Sequence, residues 1–264
     1  MSDYIVIKPE DNCGMCGYIW QTIRGMYHNP DKKYYVDFSN SIYKIKDENV
    51  WEYYFEQPHT DSRPPDEDVE KTEGIIFNQE SEFVFREINP NTPEEIKRRR
   101  LMFNDIIEKH FKLKPHVQEK IDLFVKENFE GNKVLGVHFR GTDHPEKKHM
   151  DEYLNYVREK VLDYDKLFIC SDEWDRFRLA EISNKDKACS YDSIRSKNII
   201  PLHGHKVYSP HKRVEDADYQ YKIGEDVIIE AYLMSKVDFL VCCGGSNVNY
   251  FSRAINPHLD SIEL

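Results

Sequence analysis

His138, Arg140 and Asp143 stand where the stretch Val134–Asp143 (VLGVHFRGTD) turns abruptly from apolar to charged and hydroxyl side chains. A guanidinium in such a place forks onto two phosphate oxygens and stays charged at any working pH. From residue type alone, Arg140 equally suits a structural ion pair with Asp143 or with a neighbouring helix. A second constellation follows the apolar run Val237–Cys243, which leads straight into Gly244-Gly245-Ser246-Asn247. A turn of that kind opening a helix offers unpaired backbone N–H groups, and the positive end of the helix dipole, to an anion. Ser171 and Asp172 close a third apolar run, Lys166–Cys170. Gly14 and Gly17 sit in an early loop, where a missing Cβ lets a substrate come close or simply makes a tight turn.

The elements that position these residues follow from hydrophobic periodicity. Short apolar runs bounded by polar residues read as buried strands feeding loops, the place where open α/β sheets bind ligands. Tyr4–Ile7 is a first strand, Tyr18–Met26 a helix and Tyr34–Asp37 a second strand, the start of a parallel sheet. Trp51–Phe55 is a packed aromatic element or the wall of a sugar site, and Gln57–Thr72 is a surface loop. Short strands are expected at Gly74–Phe77 and Phe83–Phe85. Thr92-Pro93-Glu94-Glu95 starts a helix with a capping box and Ile96, Phe103, Ile107 and Phe111 facing inward. Its basic run Lys97–Arg100 is read as a solvated face. A helix Pro115–Phe129 precedes the polar turn Glu130–Lys133, which is taken as the boundary between two units, 1–131 and 132–264. In the second unit, helices at Asp151–Leu162, Glu173–Ile182, Gly224–Ser235 and Val248–Ile255 alternate with strands at Lys166–Cys170, Lys197–Leu202 and Val237–Cys243. That alternation predicts an α/β, doubly wound parallel sheet with His138, Arg140, Asp143, Ser171 and Asp172 facing one crevice.

Composition narrows the function. A net charge of −11 over 264 residues argues against a general nucleic-acid surface, which needs a basic stripe. Any anionic ligand must be held by a local cluster. No run nears the roughly twenty apolar residues of a membrane span, and the N-terminus lacks a signal pattern, so a soluble, cytoplasmic protein is expected. The six cysteines lack a framework of paired spacings, and Cys13-Gly14-Met15-Cys16 is half a zinc or redox motif without its partner half. They read as reduced thiols.

Three blocks together resemble the fucosyltransferase superfamily of protein O-fucosyltransferases, core α1,6-fucosyltransferases and nodulation-factor fucosyltransferases. They are His138–Asp143 as His-x-Arg-x-x-Asp, Leu167–Glu173 ending in Ser-Asp-Glu, and Val227–Asn247 with Glu230, Ser235, Asp238, Phe239, Ser246 and Asn247. The loop and helix start Asn12–Gln21 is also similar to the family's N-terminal segment. The resemblance implies a GT-B fold: two Rossmann-like domains with parallel sheets facing a cleft. The first would be acceptor-side and the second would bind the nucleotide sugar. It places Arg140 on the donor β-phosphate, His138 on the nucleotide, Gly245, Ser246 and Asn247 on phosphates, and Glu230 on guanine. Relatives mostly carry Asp at the Glu230 position, and core enzymes carry a second Arg where this chain has Gly141.

The reaction implied is inverting transfer of fucose from GDP-fucose to a hydroxyl of a glycan, glycolipid or protein, without divalent metal or other cofactor. Arg140 would stabilise charge growing on the leaving diphosphate. The acceptor base is sought among Asp143, Glu146 and His144, with Asp143 alternatively orienting Arg140. Three other readings stay open: a UDP-sugar donor, a Rossmann-type methyltransferase or dehydrogenase using Gly14, Gly17 and Asp37, and a nucleotide-binding module without catalysis.

Overall fold

Ile5, Val6 and Ile7 are all buried in the first strand, β1 (Tyr4–Lys8), as a parallel strand covered on both faces requires. The computed structural model describes residues 3–9, 13–46, 48–60, 62–65, 69–73, 92–139, 150–195, 217–242 and 245–264. From β1 the chain enters α1 (Met15–His28) and returns as β2 (Lys33–Val36), parallel to β1, the unit that periodicity predicts. On the other side of β1 lies β3 (Val69–Glu73), also parallel, giving the order β2-β1-β3. This strand corrects the expected loop. VEKTE has one apolar residue, and backbone pairing at a sheet edge leaves no hydrophobic pattern to read. The strands expected at Gly74–Phe77 and Phe83–Phe85 lie outside the described residues.

The aromatic run forms α2 (Trp51–Tyr54) and a bridge from Phe55 to Leu113. Trp51, Tyr54 and Phe55 are fully buried, with Trp51 stacked on Phe55 at 4.5 Å, so these three are core and line no sugar site. Tyr53 stays partly exposed.

Two long helices follow, α3 (Pro93–His110) and α4 (Pro115–Asn128). Thr92 caps α3 by accepting the Glu95 N–H at 3.2 Å. The reciprocal half of the capping box is replaced, because the Glu95 carboxylate takes Arg98 and Arg99 instead. Phe103, Ile107 and Phe111 are buried, whereas Ile96 is only half-buried at the exposed first turn. Lys97 and Arg98 are exposed, but Arg99 and Arg100 are half-buried, with Arg100 donating to Leu259 O at 3.3 Å, so the basic run is only in part a solvated face.

The second sheet is built from β4 (Val134–Phe139), β5 (Lys166–Ser171), β6 (Ala188–Cys189), β7 (Phe239–Cys242) and β8 (Ser261–Glu263). Its order is β6-β5-β4-β7-β8, with every pairing parallel. Helices α5 (Met150–Lys160), α6 (Trp174–Ser183), α7 (Ala217–Met234) and α8 (Asn247–Ile255) connect it. The strand expected at Lys197–Leu202 lies outside the described residues, while β6 and β8, too short to carry a period, were not anticipated.

Side chains alternate across this sheet. Leu135, Val137, Leu167, Ile169 and Val241 enter one core cluster with Tyr153 and Phe177 of α5 and α6. Val134, Phe168, Cys170, Leu240 and Cys242 enter the other, which runs without a break through α7, α8, α3 and α1 to the first sheet. Gly136 lies on that second face against α7's exit: a Cβ there would sit 2.9 Å from Val237 Cγ2 and 3.1 Å from Leu240 Cδ1. Gly136→Ala is therefore expected to cost about 1–3 kcal/mol by overpacking, read as a lowered urea midpoint with an unchanged slope.

The helices from the first half also tie directly to the second. Asn104 of α3 donates to Ile255 O at 2.9 Å, and Lys120 of α4 holds the buried Glu225 of α7 at 2.7 Å. Among the described residues, Cys13, Cys16, Cys170, Cys189 and Cys242 form no disulfide. Among the described residues, no helix is long and apolar enough to cross a membrane.

Candidate functional site

The carboxyl ends of three adjacent strands carry the candidate side chains. His138 of β4 is paired in register with Cys170 of β5 on one side and Cys242 of β7 on the other. All three are buried and share the sheet face that α7 covers, by the alternation described above. From the opposite face, the Tyr153 hydroxyl of α5 points at the carbonyl oxygens of Val241, at 2.8 Å, and His138, at 3.1 Å. This ties β4 to β7 just before both chains leave the sheet.

Glu230 of α7 lies beneath the β5 end of this row and is 8% exposed. Its Oε1 accepts the Ser193 hydroxyl and stands 3.7 Å from the Arg195 guanidinium, and its Oε2 accepts the Cys170 thiol at 3.1 Å. Arg195 is itself buried over the Phe177 ring, at 3.9 Å, and donates to Ser193 O and Tyr191 O. Burial pushes the Glu230 carboxyl up to about 7, against the pull of Arg195 and of the hydrogen bonds from Ser193 and Cys170. Burial likewise drives the Cys170 thiol well above its usual range, with the Glu230 charge adding to it. A carboxylate has about four lone-pair directions, so the two hydrogen bonds from Ser193 and Cys170 leave one direction on each oxygen for a further donor. Two further acids of α7 are committed elsewhere: Glu225 to Lys120, and Asp226 to Ile194 N and Lys222.

At the β7 end of the row lies the mouth of α8. Gly245 adopts φ 75°, the left-handed conformation that favours glycine, and directs the chain into the helix. Ser246 occupies the N-cap position yet makes no side-chain cap bond. Its hydroxyl is buried and, among the described residues, Ser246 Oγ and Asn247 Oδ1 have no hydrogen-bond partner. Buried polar atoms left unpaired are uncommon and cost roughly 1–3 kcal/mol each, so this mouth suits an incoming polar ligand. One expected N–H is already spent, because Gly245 N donates to Glu263 at 2.9 Å. From the first half, the Trp20 indole of α1 donates to Asn247 O at 3.2 Å, which fixes the mouth against α1.

Other residues singled out in the sequence fall differently. Arg140, Asp143 and Glu146, with His144, lie outside the described residues, and Arg140 directly follows the last residue of β4. The Ser171 hydroxyl is engaged locally, bonded to Glu173 N and O in the turn that opens α6. Asp172, next to it, is half-buried. Gly14 caps α1, and a Cβ there would only touch Tyr43 Oη at 3.9 Å. At Gly17 a Cβ would come within 2.8 Å of Cys13 Cβ, so its absence makes room for Cys13. Ser235 and Asp238 turn out to be structural: Asp238 accepts Val134 N at 2.6 Å, and Ser235 donates to Tyr232 O. Among the described residues, no group of three or more His, Cys, Asp and Glu side chains could hold a metal ion.

Sequence reasoning missed Ser193, Arg195, Cys170 and Trp20 as partners of the site. Only Arg195, a basic residue in a mixed loop, carried any signal, and its type alone does not point to Glu230.

No protein-family profile matches the sequence, and no curated protein matches it. Among solved structures, the fold is similar to that of NodZ alpha-1,6-fucosyltransferase co-crystallised with GDP. The TM-score is 0.55 at 15% identity, over 96% of this chain and 92% of that one. The same enzyme soaked with GDP-fucose matches at TM-score 0.55 and 14% identity, over 97% and 93%. Fucosyltransferase NodZ from Bradyrhizobium matches at the same score and identity, over 96% and 92%. The chain therefore has the GT-B-type α/β fold that the sequence blocks imply.

Proposed function

We propose that this protein is a glycosyltransferase that takes fucose from GDP-fucose and transfers it, with inversion and without a divalent metal, to a hydroxyl of a glycan, glycolipid or protein. The observation that carries the reading is the row along β5, β4 and β7. Glu230 stands at one end, the unpaired Ser246 at the mouth of α8 at the other, and His138 between them. Two strand spacings, roughly 10 Å, separate β5 from β7. That span suits a nucleobase, a ribose and a diphosphate laid along the sheet edge. The solved enzyme of similar fold was co-crystallised with GDP and soaked with GDP-fucose, which supports the choice of donor.

In this reading Glu230 accepts the two adjacent N–H groups on one edge of guanine, which uracil lacks, a discrimination of about 1–3 kcal/mol. Ser246, Asn247 and the first N–H groups of α8 take the diphosphate. Arg140, at the exit of β4, neutralises the charge that grows on the β-phosphate as the sugar leaves. Asp143 or Glu146 takes the acceptor proton, and the unit 1–131 presents the acceptor to the donor unit 132–264.

Titration calorimetry with GDP, UDP, NAD and S-adenosylmethionine, followed by a slow-hydrolysis assay with GDP-fucose, tests the proposal. GDP is expected to bind at least tenfold more tightly than UDP, and GDP-fucose to be hydrolysed slowly to GDP and fucose. Preference for NAD or S-adenosylmethionine, or GDP binding with no turnover of GDP-fucose under any acceptor, would overturn it.

A further inference from the structure

A cavity of about 440 Å³ opens at the carboxyl end of β2, within the size range of small-molecule sites and away from the row just described. Asp37, the residue after β2, is buried in its wall, beside Glu48, Glu52, Tyr35, Tyr53 and Arg63. Each carboxylate is held by one oxygen. Glu52 Oε1 accepts from Tyr35 Oη at 3.0 Å, Asn49 Nδ2 at 3.1 Å and Gln57 Nε2 at 2.8 Å. Glu48 Oε2 accepts the Tyr53 hydroxyl at 2.7 Å, and Asp37 Oδ1 accepts Ser39 N at 2.9 Å. The second oxygens of Glu48 and Glu52 have no hydrogen bond among the described residues, and that of Asp37 has only Arg63 at 3.8 Å.

The chemistry of such a wall is one-sided. It offers fixed acceptors and few donors, since the donor protons of Tyr35 and Tyr53 already point at carboxylates. A ligand must bring its own donors. Three carboxylates against one guanidinium repel phosphate, which separates this cavity from the diphosphate mouth at α8. A neutral sugar meets both demands: its hydroxyls donate to carboxylates, and it carries no negative charge for them to repel. Position agrees, because ligands bind outside the carboxyl ends of parallel strands. α1 links the two places, with Met15 N bonded to Tyr43 beyond β2 and Trp20 bonded to the mouth of α8.

We propose that this cavity is a saccharide-binding subsite taking a neutral sugar residue through the second oxygens of Glu48 and Glu52, with Asp37 and its Arg63 partner in the wall. Naming that sugar as part of the acceptor rests on the transfer reading above; its binding does not. The test uses the full chain on an array of neutral oligosaccharides, followed by calorimetry with the best-bound member, for the wild type and for Glu48→Ala/Glu52→Gln. A parallel titration with GDP reports the donor site, and Glu48→Ala alone, at an exposed rim position, serves if the double variant does not fold. The wild type is expected to bind at least one oligosaccharide, and the variant to bind it tenfold or more weakly with GDP affinity unchanged. A wild type that binds none, that binds only a polyamine, or whose oligosaccharide affinity survives both substitutions overturns the subsite. A wild type that binds an oligosaccharide but not GDP overturns the donor reading instead.

Discussion

Glu230→Ala is expected to cost about 1–3 kcal/mol of folding stability, more at pH 5 than at pH 8, because it leaves the Ser193 hydroxyl and the Cys170 thiol without their acceptor beside the buried Arg195. Urea unfolding at the two pH values reads this as a drop in midpoint that is larger at pH 5. The same variant should lose its preference for GDP over UDP. Glu230→Gln, which keeps the volume, separates the two effects by their pH dependence. The folded carboxyl titrates near 7 instead of near 4.5, so its contribution to stability is fully present below 4.5 and declines as pH rises through 7. Nucleotide binding slopes the other way. Only the ionised form can accept both guanine N–H groups, so GDP affinity should fall about tenfold for each pH unit below 7, as one bound proton per site requires. The Gln variant flattens both slopes. A wild type whose GDP affinity shows no change between pH 6 and 8 would reduce Glu230 to a structural ion pair.

Arg140→Ala is the second large effect. A fixed cation aimed at developing charge stabilises the transition state more than the ground state, and losing one such donor typically raises the barrier by about 2.7–4 kcal/mol. The expected result is a fall in transfer rate of about a hundredfold or more, with an unchanged circular dichroism spectrum and melting temperature. Arg140→Lys should recover only part of this, since a point charge cannot fork onto two phosphate oxygens. Full activity in the Ala variant would remove Arg140 from the chemistry.

Much of this architecture was legible because it is written in local apolar pattern. β1, β4, β5 and β7 are runs of buried aliphatic residues, and α1, α3 and α4 carry clear helical spacing or caps. What escaped is held by backbone pairing or by distance in sequence. β3 and β8 pair through main chain with little apolar pattern, and β6 has only two residues. Glu230 meets Ser193 across 37 positions and Cys170 across 60, and no spacing rule connects them. The block Val227–Asn247 was itself mixed. Asp238 and Ser235 serve the hydrogen bonding of the fold, whereas Glu230, Ser246 and Asn247 retain capacity for a ligand. Residue type alone could not divide them, because an acid and a hydroxyl suit either purpose. Glu95 is a similar case: its spacing from Thr92 predicts a box, but two nearby arginines outcompete one backbone N–H.

The most direct test is a crystal structure of the protein with GDP-fucose bound. The expected electron density places the guanine edge on Glu230, the diphosphate within hydrogen-bond distance of Ser246 Oγ and the first N–H groups of α8, and the Arg140 guanidinium on the β-phosphate. A nucleotide bound elsewhere, or Arg140 and the mouth of α8 found on opposite sides of the sheet with no ligand between them, would contradict the account.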